Sequence, residues 1–515
     1  MRSRLYFLAM LISAGIVAAS AAGDFFEIRA VDSATGRGIP MVELKTVNGI
    51  RFFTDSAGRI AFHEPGLMDQ DVFFFISSQG YSFPPDGFGM HGKKLHPARG
   101  QAVELQLKRT NIAERIYRIT GEGIYRDSLL LNRSLPVQQP ALNAGVLGSD
   151  SVLCAPFHGK LYWFWGDTQL PGYPLGLFHA PGATSPLPGP GVLSPREGVN
   201  LSYITDETGQ AVNVAHMPGE GPTWLSGLTV LRDDQGRERM FAGYAKIKPP
   251  LTASQRGIAE FNPKTSRFEP RVTFPADSPL FPDGHPLHMT ENGTKYIYFA
   301  RPFPDVRVPA TADDFLDISR YESFSCLTAD STPEDLHIDR NADGSPRFAW
   351  KPNTRPLDWK IMDSLLQSGQ LKLEELPFQL KDITDGHRIH THSGSIAWNS
   401  FRHRYVMIVL EVMGSSPLGE IWYSEAEQLL GPWSAARKVV SHENVSFYNP
   451  LQHPEFAEDE GRILYFEGTY THTFTSNPDQ TPRYEYNQIM YRLDLADPRM
   501  KLDAPDERVR MNGSR

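Results

Sequence analysis

Cysteine is almost missing from this 515-residue chain; only Cys154 and Cys326 occur. Two thiols so far apart cannot make a disulfide framework, and both pairing in an oxidising compartment and burial as free thiols stay open. Basic runs are missing as well. Lys and Arg total 51 against 60 Asp and Glu, a formal charge of −9. Such a chain lacks the clustered cations that nucleic-acid phosphates demand, so a nucleic-acid partner is excluded. Past the N-terminus no stretch approaches the ~20 apolar residues of a membrane span, which excludes integral membrane association.

What the N-terminus does contain is a leader. Arg2 and Arg4 form a short positive region, an apolar and small stretch runs from Leu5 to Ala19, and Ala19-Ser20-Ala21 offers a small-residue cleavage site. This pattern predicts a signal peptide over residues 1–22 and a periplasmic or secreted protein. Glycine (43), proline (41) and 11% aromatics then imply many turns and short strands. The fold class expected is all-β, of the kind found in sandwiches, barrels and propellers.

Residues 24–108 read as a run of strands. Phe25–Val31, Met41–Val47, Ile50–Phe53, Ile60–Phe62, Val72–Ser77 and Ala102–Leu107 are separated by turn-rich segments such as Thr54–Arg59. Met41–Val47 alternates with the period of a half-buried strand. The phrases Asp32–Leu44 and Thr54–Phe62 resemble the carboxypeptidase-regulatory or prealbumin-like sandwich, an Ig-like accessory module. That resemblance implies spacing or docking rather than catalysis. The Gly-rich aromatic segment Pro84–Gly92 is either an ordinary long loop or a reach toward a ligand. Residues 109–145 are expected to be a linker, with a short helix over Asn111–Arg118.

From 146 to 497 one unit returns five times: a strand after a turn-rich segment, then a strand rich in Tyr, Phe and Trp, then one or two more. Leu161–Trp165, Met240–Tyr244, Tyr296–Ala300, Tyr405–Leu410 and Ile463–Glu467 are the five aromatic or apolar second strands. Repeats of antiparallel sheet arranged radially give a propeller. Five blades are expected, or six if Val192–Val214 forms its own sheet. Residues 330–386 interrupt the rhythm as an insertion, with short helices expected over Ile361–Leu366 and Leu371–Leu376. Residues 498–515 are expected to be a flexible tail.

The first repeat ends in Trp165-Gly166-Asp167-Thr168, with Asp150 just before its first strand, and the fourth carries Glu420–Trp433 with a Gly-Pro-Trp turn. These features resemble the five-bladed propeller glycosidases of the arabinanase-like clan, and more closely the bacterial propellers that bear Gly-Asp-Thr after the second strand. The resemblance implies a glycoside hydrolase acting on a polysaccharide or oligosaccharide. In that clan an Asp of the first blade is the base, a second Asp tunes the acid, and the acid is a Glu from a later blade.

Carried onto this sequence, Asp150 or Asp167 would be the base, Asp283 the tuning acid and Glu467 the proton donor, with Glu411 as its alternative. Hydrolysis of this kind needs two carboxyl groups in unlike environments and no cofactor. The resemblance also allows a structural calcium in the propeller channel. Trp165, Trp224, His285, His392, His453 and Tyr470 are candidates for binding sugar, since aromatic faces stack on sugar rings. Two other functions stay open. A non-catalytic carbohydrate-binding propeller would keep the aromatic cleft without paired carboxylates. A His-rich metal-dependent hydrolase or lyase would gather the histidines of Asp385–Gly394 with His285, His288, His453 or His472.

Overall fold

A computed structural model describes residues 22–502 except Phe178. The expected signal peptide, apart from Ala22, lies outside the described residues, as does the end of the expected tail.

Two four-stranded sheets form the N-terminal sandwich. One holds Phe26–Asp32, Arg59–Phe62, Ala102–Arg109 and Tyr81–Ser82; the other holds Glu43–Thr46, Arg51–Phe53, Val72–Ser77 and Gly92–Leu95. Alternate residues meet between the sheets, Ile28 and Ala30 against Leu44, Phe74 and Ile76. This is the pleat of a two-faced strand acting on the sequence pattern.

Five further sheets are the blades of a propeller. Their first strands are Leu153–Phe157, Thr223–Arg232, His285–Glu291, Thr391–Asn399 and Ser446–Gln452. Tight hairpins link first strands to second strands. His158-Gly159 and Asn292-Gly293 each place two residues at positive φ, as a two-residue turn matched to strand twist requires. Val192–Val214 makes no sixth blade. Within it, Ser202–Tyr203 is the outer edge of blade 1.

The second strands read as apolar runs because both of their faces are buried. Val406, Ile408 and Leu410 face blade 5, where Phe447, Phe466 and Ile489 meet them. Met407 and Val409 face blade 3, with Tyr298 and Trp422. Likewise Leu161 and Trp163 pack toward blade 5, while Tyr162 and Phe164 pack toward blade 2. A period of two thus assigns each side chain to one seam.

Three expectations need correction. The segment 111–118 is not a helix in a linker. Glu114–Arg118 is a strand that pairs antiparallel with Asn487–Asp494 and completes blade 5. Its apolar residues Ile116 and Tyr117 alternate too weakly with charge to show this in sequence, because Glu114, Arg115 and Arg118 are themselves buried. The insertion 330–386 is not outside the blades. It supplies Ala349–Pro352 to blade 3 and Phe378–Asp382, in parallel, to blade 4, with the helix Trp359–Gln367 between them. The tail does not come loose at 498, since Met500 is fully buried among residues of blades 4 and 5.

The sandwich is fastened to blade 5. The buried Arg115 guanidinium donates to the carbonyls of Pro40 (3.1 Å) and Gln79 (2.9 Å) and to the Ser78 hydroxyl (2.5 Å). Tyr484 donates to the Thr54 carbonyl at 2.5 Å. Cys154 and Cys326 are free thiols. No helix among the described residues is long and apolar enough to cross a membrane.

Candidate active site

The first strands of the blades are led in by polar residues, and these meet around the axis. Asp150 precedes the first strand of blade 1. Its carboxylate accepts a 2.9 Å hydrogen bond from the Tyr448 hydroxyl of blade 5 and a further one from Tyr486. Ser151 ties the same seam: its amide donates to Thr469 Oγ1 at 3.0 Å, and its hydroxyl accepts from Asn449 Nδ2 at 2.7 Å. Burial pushes the Asp150 carboxyl up to about 6 against the pull of these donors.

Asp167 lies beside it, since the Asp150 amide donates to the Asp167 carbonyl at 3.2 Å. Burial, and then the like charge of Asp150, push Asp167 up to about 7, while a hydrogen bond from the Trp224 indole opposes them. Gly166 between them is dictated by space. A Cβ there would sit 2.3 Å from Asp150 Oδ1.

Blade 2 connects this pair to a second group. Two residues after Trp224 on the same strand, the Ser226 hydroxyl donates to Asp283 Oδ1 at 2.8 Å. Asp283, which leads into blade 3, also forms an ion pair with Arg301. Burial works to raise this carboxyl, but Arg301, Ser226 and Arg256 together hold it below the usual range. Asp305, at the start of the next-but-one strand of blade 3, is pushed up to about 7 by burial with Asp283 nearby.

His285 and His392 lead into blades 3 and 4 and belong to this group. Burial lowers both to about 4, so each is a neutral imidazole at physiological pH. Trp224 is 37% exposed and can offer its face to a ligand.

Other expected site residues lie elsewhere. Glu467 has no exposed surface. It faces the seam between blades 5 and 1 and accepts a 2.7 Å hydrogen bond from His453 Nε2. A carboxyl without access cannot give its proton to a substrate, so the assignment of Glu467 as donor does not fit the geometry. His453 is buried with it and lines a cleft of about 250 Å³, with Trp398 and Tyr465, where the first strands of blades 4 and 5 end. Trp165 is 2% exposed and stacks on Trp163, and Tyr470 is buried with its hydroxyl on Thr481 at 2.9 Å. Both are core. Aromatic character marked these residues in the sequence, and strand register decided otherwise.

Glu411 is buried and accepts from the Trp422 indole at 2.8 Å. The histidines do not converge. Among the described residues the one group with clustered ligand atoms is Asp382, Asp385 and His387, within 4.8 Å of one another beside the insertion. It contains a single imidazole. His472 instead bonds Glu485 at 2.7 Å.

Ser226, Arg301, Asp305 and Tyr486 carry no mark in the sequence that singles them out. Arg301 and Asp305 flank the proline-rich turn Pro302-Phe303-Pro304.

No family model and no curated protein matches this sequence. Some solved structures align with it distantly. An exo-β-1,3-galactanase from Phanerochaete chrysosporium, solved with β-1,3-galactotriose, aligns at 10% identity over 74% of this chain and 65% of its own, with a TM-score of 0.36. The chain thus spans less than two-thirds of the galactanase's length. An α-L-arabinanase mutant from Cellvibrio cellulosa aligns at 10% identity over 68% and 92%, with a TM-score of 0.35. A GH43_1 enzyme from Xanthomonas citri, complexed with xylotriose, aligns at 11% identity over 68% and 87%, with a TM-score of 0.31.

Proposed function

We propose that this protein is an exported glycoside hydrolase that cleaves a polysaccharide or oligosaccharide, with Asp167 as proton donor and Asp283 as the ionised partner. One observation carries the reading. Two carboxyl groups on different blades sit in opposite environments, both hydrogen-bonded to one strand of blade 2 through Trp224 and Ser226: Asp167 is raised to about 7 by burial and Asp150, and Asp283 is lowered by Arg301, Ser226 and Arg256. Unlike pKa values in one site are how acid and base roles are divided.

In this scheme Asp167 protonates the leaving oxygen of the glycosidic bond. Asp150, beneath it and fixed by Tyr448, makes the protonated form of Asp167 favourable by repulsion. Asp283 keeps free lone pairs beyond those given to Ser226 and Arg301, and takes a proton from the attacking water. Export follows from the leader-like residues 1–22. Trp224 stacks on a sugar ring.

The test is a polysaccharide panel assayed with wild type, Asp167→Asn and Asp283→Asn, with the anomer of the first product read by NMR. Loss of cleavage in both variants supports the roles. Full activity in either overturns its assignment. Inversion would place the two carboxyls ~6.5–9.5 Å apart, retention ~5–5.5 Å. A wild type that binds glycans through Trp224 and cleaves none of them would instead be a carbohydrate-binding propeller.

A further inference from the structure

The cleft where the first strands of blades 4 and 5 end takes no part in the proposed chemistry. Its volume is about 250 Å³, and none of Asp150, Asp167, Trp224 and Asp283 lines it. Asp150, Trp224 and Asp283 stand at the starts of first strands, whereas the cleft opens at the opposite ends. The blade 4 strand between the two ends, Thr391–Asn399, is about 25 Å long at ~3.3 Å per residue.

The walls of this cleft are fixed by the protein itself. Asn399 Nδ2, at the end of the blade 4 strand, donates to the Gly461 carbonyl of blade 5 at 2.7 Å, and Asn399 Oδ1 accepts from the Arg402 amide at 2.8 Å. Gly461 has a φ of 93°, and a Cβ there would lie 2.8 Å from Asn399 Nδ2. Trp398 is 51% exposed yet braced, since the Tyr405 ring meets it in an edge-to-face pair at 5.1 Å.

Two buried side chains of the lining hold unused acceptors. Gln452 Nε2 donates to the carbonyls of Ser395 (2.8 Å) and Val406 (3.2 Å), and its Oε1 has no partner among the described residues. His453 Nε2 donates to Glu467 at 2.7 Å, and its Nδ1 has none either. A neutral imidazole bonded in this way presents Nδ1 as an acceptor. Gln452 is 5% exposed and His453 2%, so each unmet acceptor costs free energy until a donor arrives.

The chemistry of the lining selects its occupant. Besides His453, the ionisable groups among the lining residues are the exposed Glu460 and the buried Tyr465. An oxyanion would meet acceptors and a carboxylate. A quaternary cation needs several aromatic faces, and of the lining aromatics Trp398 is the exposed one. A neutral sugar fits every element at once, with a C–H face for the indole and hydroxyl donors for the two acceptors.

We infer that this cleft is a second, non-catalytic glycan site, in which a neutral sugar unit stacks on Trp398 and donates its hydroxyls to His453 Nδ1 and Gln452 Oε1. It goes beyond the reading of the axial site, because binding here needs no carboxylate chemistry. The propeller would then hold glycan at both ends of its blades.

Binding is measured by calorimetry in an Asp167→Asn, Trp224→Ala double variant, which removes turnover and the axial indole. The probes are neutral arabino-, xylo- and β-1,3-galacto-oligosaccharides, oligogalacturonate and tetramethylammonium chloride. A neutral probe should bind, and adding Trp398→Ala should weaken it about tenfold or more, with Trp398→Tyr, which keeps a ring, falling between. Circular dichroism should be the same with and without Trp398→Ala, because the indole is half exposed. The inference is overturned if no neutral probe binds the double variant, or if both Trp398 substitutions leave the affinity as it was. It is overturned as well if oligogalacturonate or tetramethylammonium binds more tightly than every neutral probe. Trp398-dependent binding without cleavage by wild type sinks the hydrolase reading alone, and cleavage without Trp398-dependent binding sinks this one alone.

Discussion

The Tyr448 hydroxyl of blade 5 donates a 2.9 Å hydrogen bond to the Asp150 carboxylate, which leads into blade 1. The first and last blades therefore meet at the residue that tunes the proposed acid.

Gly166→Ala should inactivate without unfolding. The added methyl would sit 2.3 Å from Asp150 Oδ1 and must displace the carboxylate. A fall in kcat of about 10²-fold or more is expected from a misplaced acid–base group. Circular dichroism and the melting curve should stay close to wild type, and an active Gly166→Ala enzyme would contradict the placement of Asp150.

The pH–rate profile should lose activity as pH rises through about 7. Asp167 must be protonated to act, and it is raised to that value by burial and Asp150. Asp283 is held below the usual range and stays ionised well into acid. Trp224→Phe removes a hydrogen bond that favours the Asp167 anion, so the alkaline limb should move to higher pH. A limb that stays or moves down argues against Asp167 as donor.

The same raised carboxyl costs stability at neutral pH. A carboxyl with a folded pKa above its unfolded value favours the folded state less as pH rises from about 4 to about 7. Asp167→Asn should therefore raise the melting temperature more at pH 7.5 than at pH 4.5. The gain expected is about 1 kcal/mol once solvent screening is allowed for. Equal gains at both pH values would show that burial of the charge is not the cause.

Glu467→Gln and Glu467→Ala should separate structure from catalysis. Burial raises the Glu467 carboxyl, and glutamine keeps its shape without a charge, so activity within about twofold of wild type is expected for Gln. Alanine leaves His453 without its buried partner and opens a void, a loss of about 3 kcal/mol by denaturant titration. A Gln variant that folds and is inactive would restore Glu467 to the chemistry.

A chain begun at residue 146 should fail to form a stable propeller, whereas one begun at Arg109 should form one. The difference is Glu114–Arg118, the outer strand of blade 5. Tryptophan fluorescence and gel filtration report the result, and a cooperative monomer from the shorter chain would contradict it.

Much of this architecture was legible because a propeller blade buries both faces of its second strand. Tyr405–Leu410 and Ile463–Phe466 read as unbroken apolar or aromatic runs for that reason. Asn292-Gly293 marks its hairpin through the φ values it needs. The closing strand was illegible because its buried Arg115 is satisfied by sandwich carbonyls, a pairing that no local pattern records. Among candidate site residues, Asp150, Asp167 and Asp283 could be picked out through the resemblance, each beside a strand end, and Trp224 through its aromatic ring. Glu467 could not be rejected from sequence, since a strand-borne Glu reads alike whether it faces the axis or a seam. Arg301 stood out only once the fold set it against Asp283.

The pairing of Glu114–Arg118 with Asn487–Asp494 also sets an order of manufacture. Thr120, just past the closing strand, bonds Asn487 across 367 residues of chain. A ribosome therefore delivers the clasp before any blade, and its catch almost last. Through Arg115 the finished sandwich can grip the clasp during that interval, holding one half of the fastener in place while the blades accumulate. The N-terminal domain would on this view serve the propeller most during its birth, and a mutation there would show as a failed yield before it showed as a changed rate.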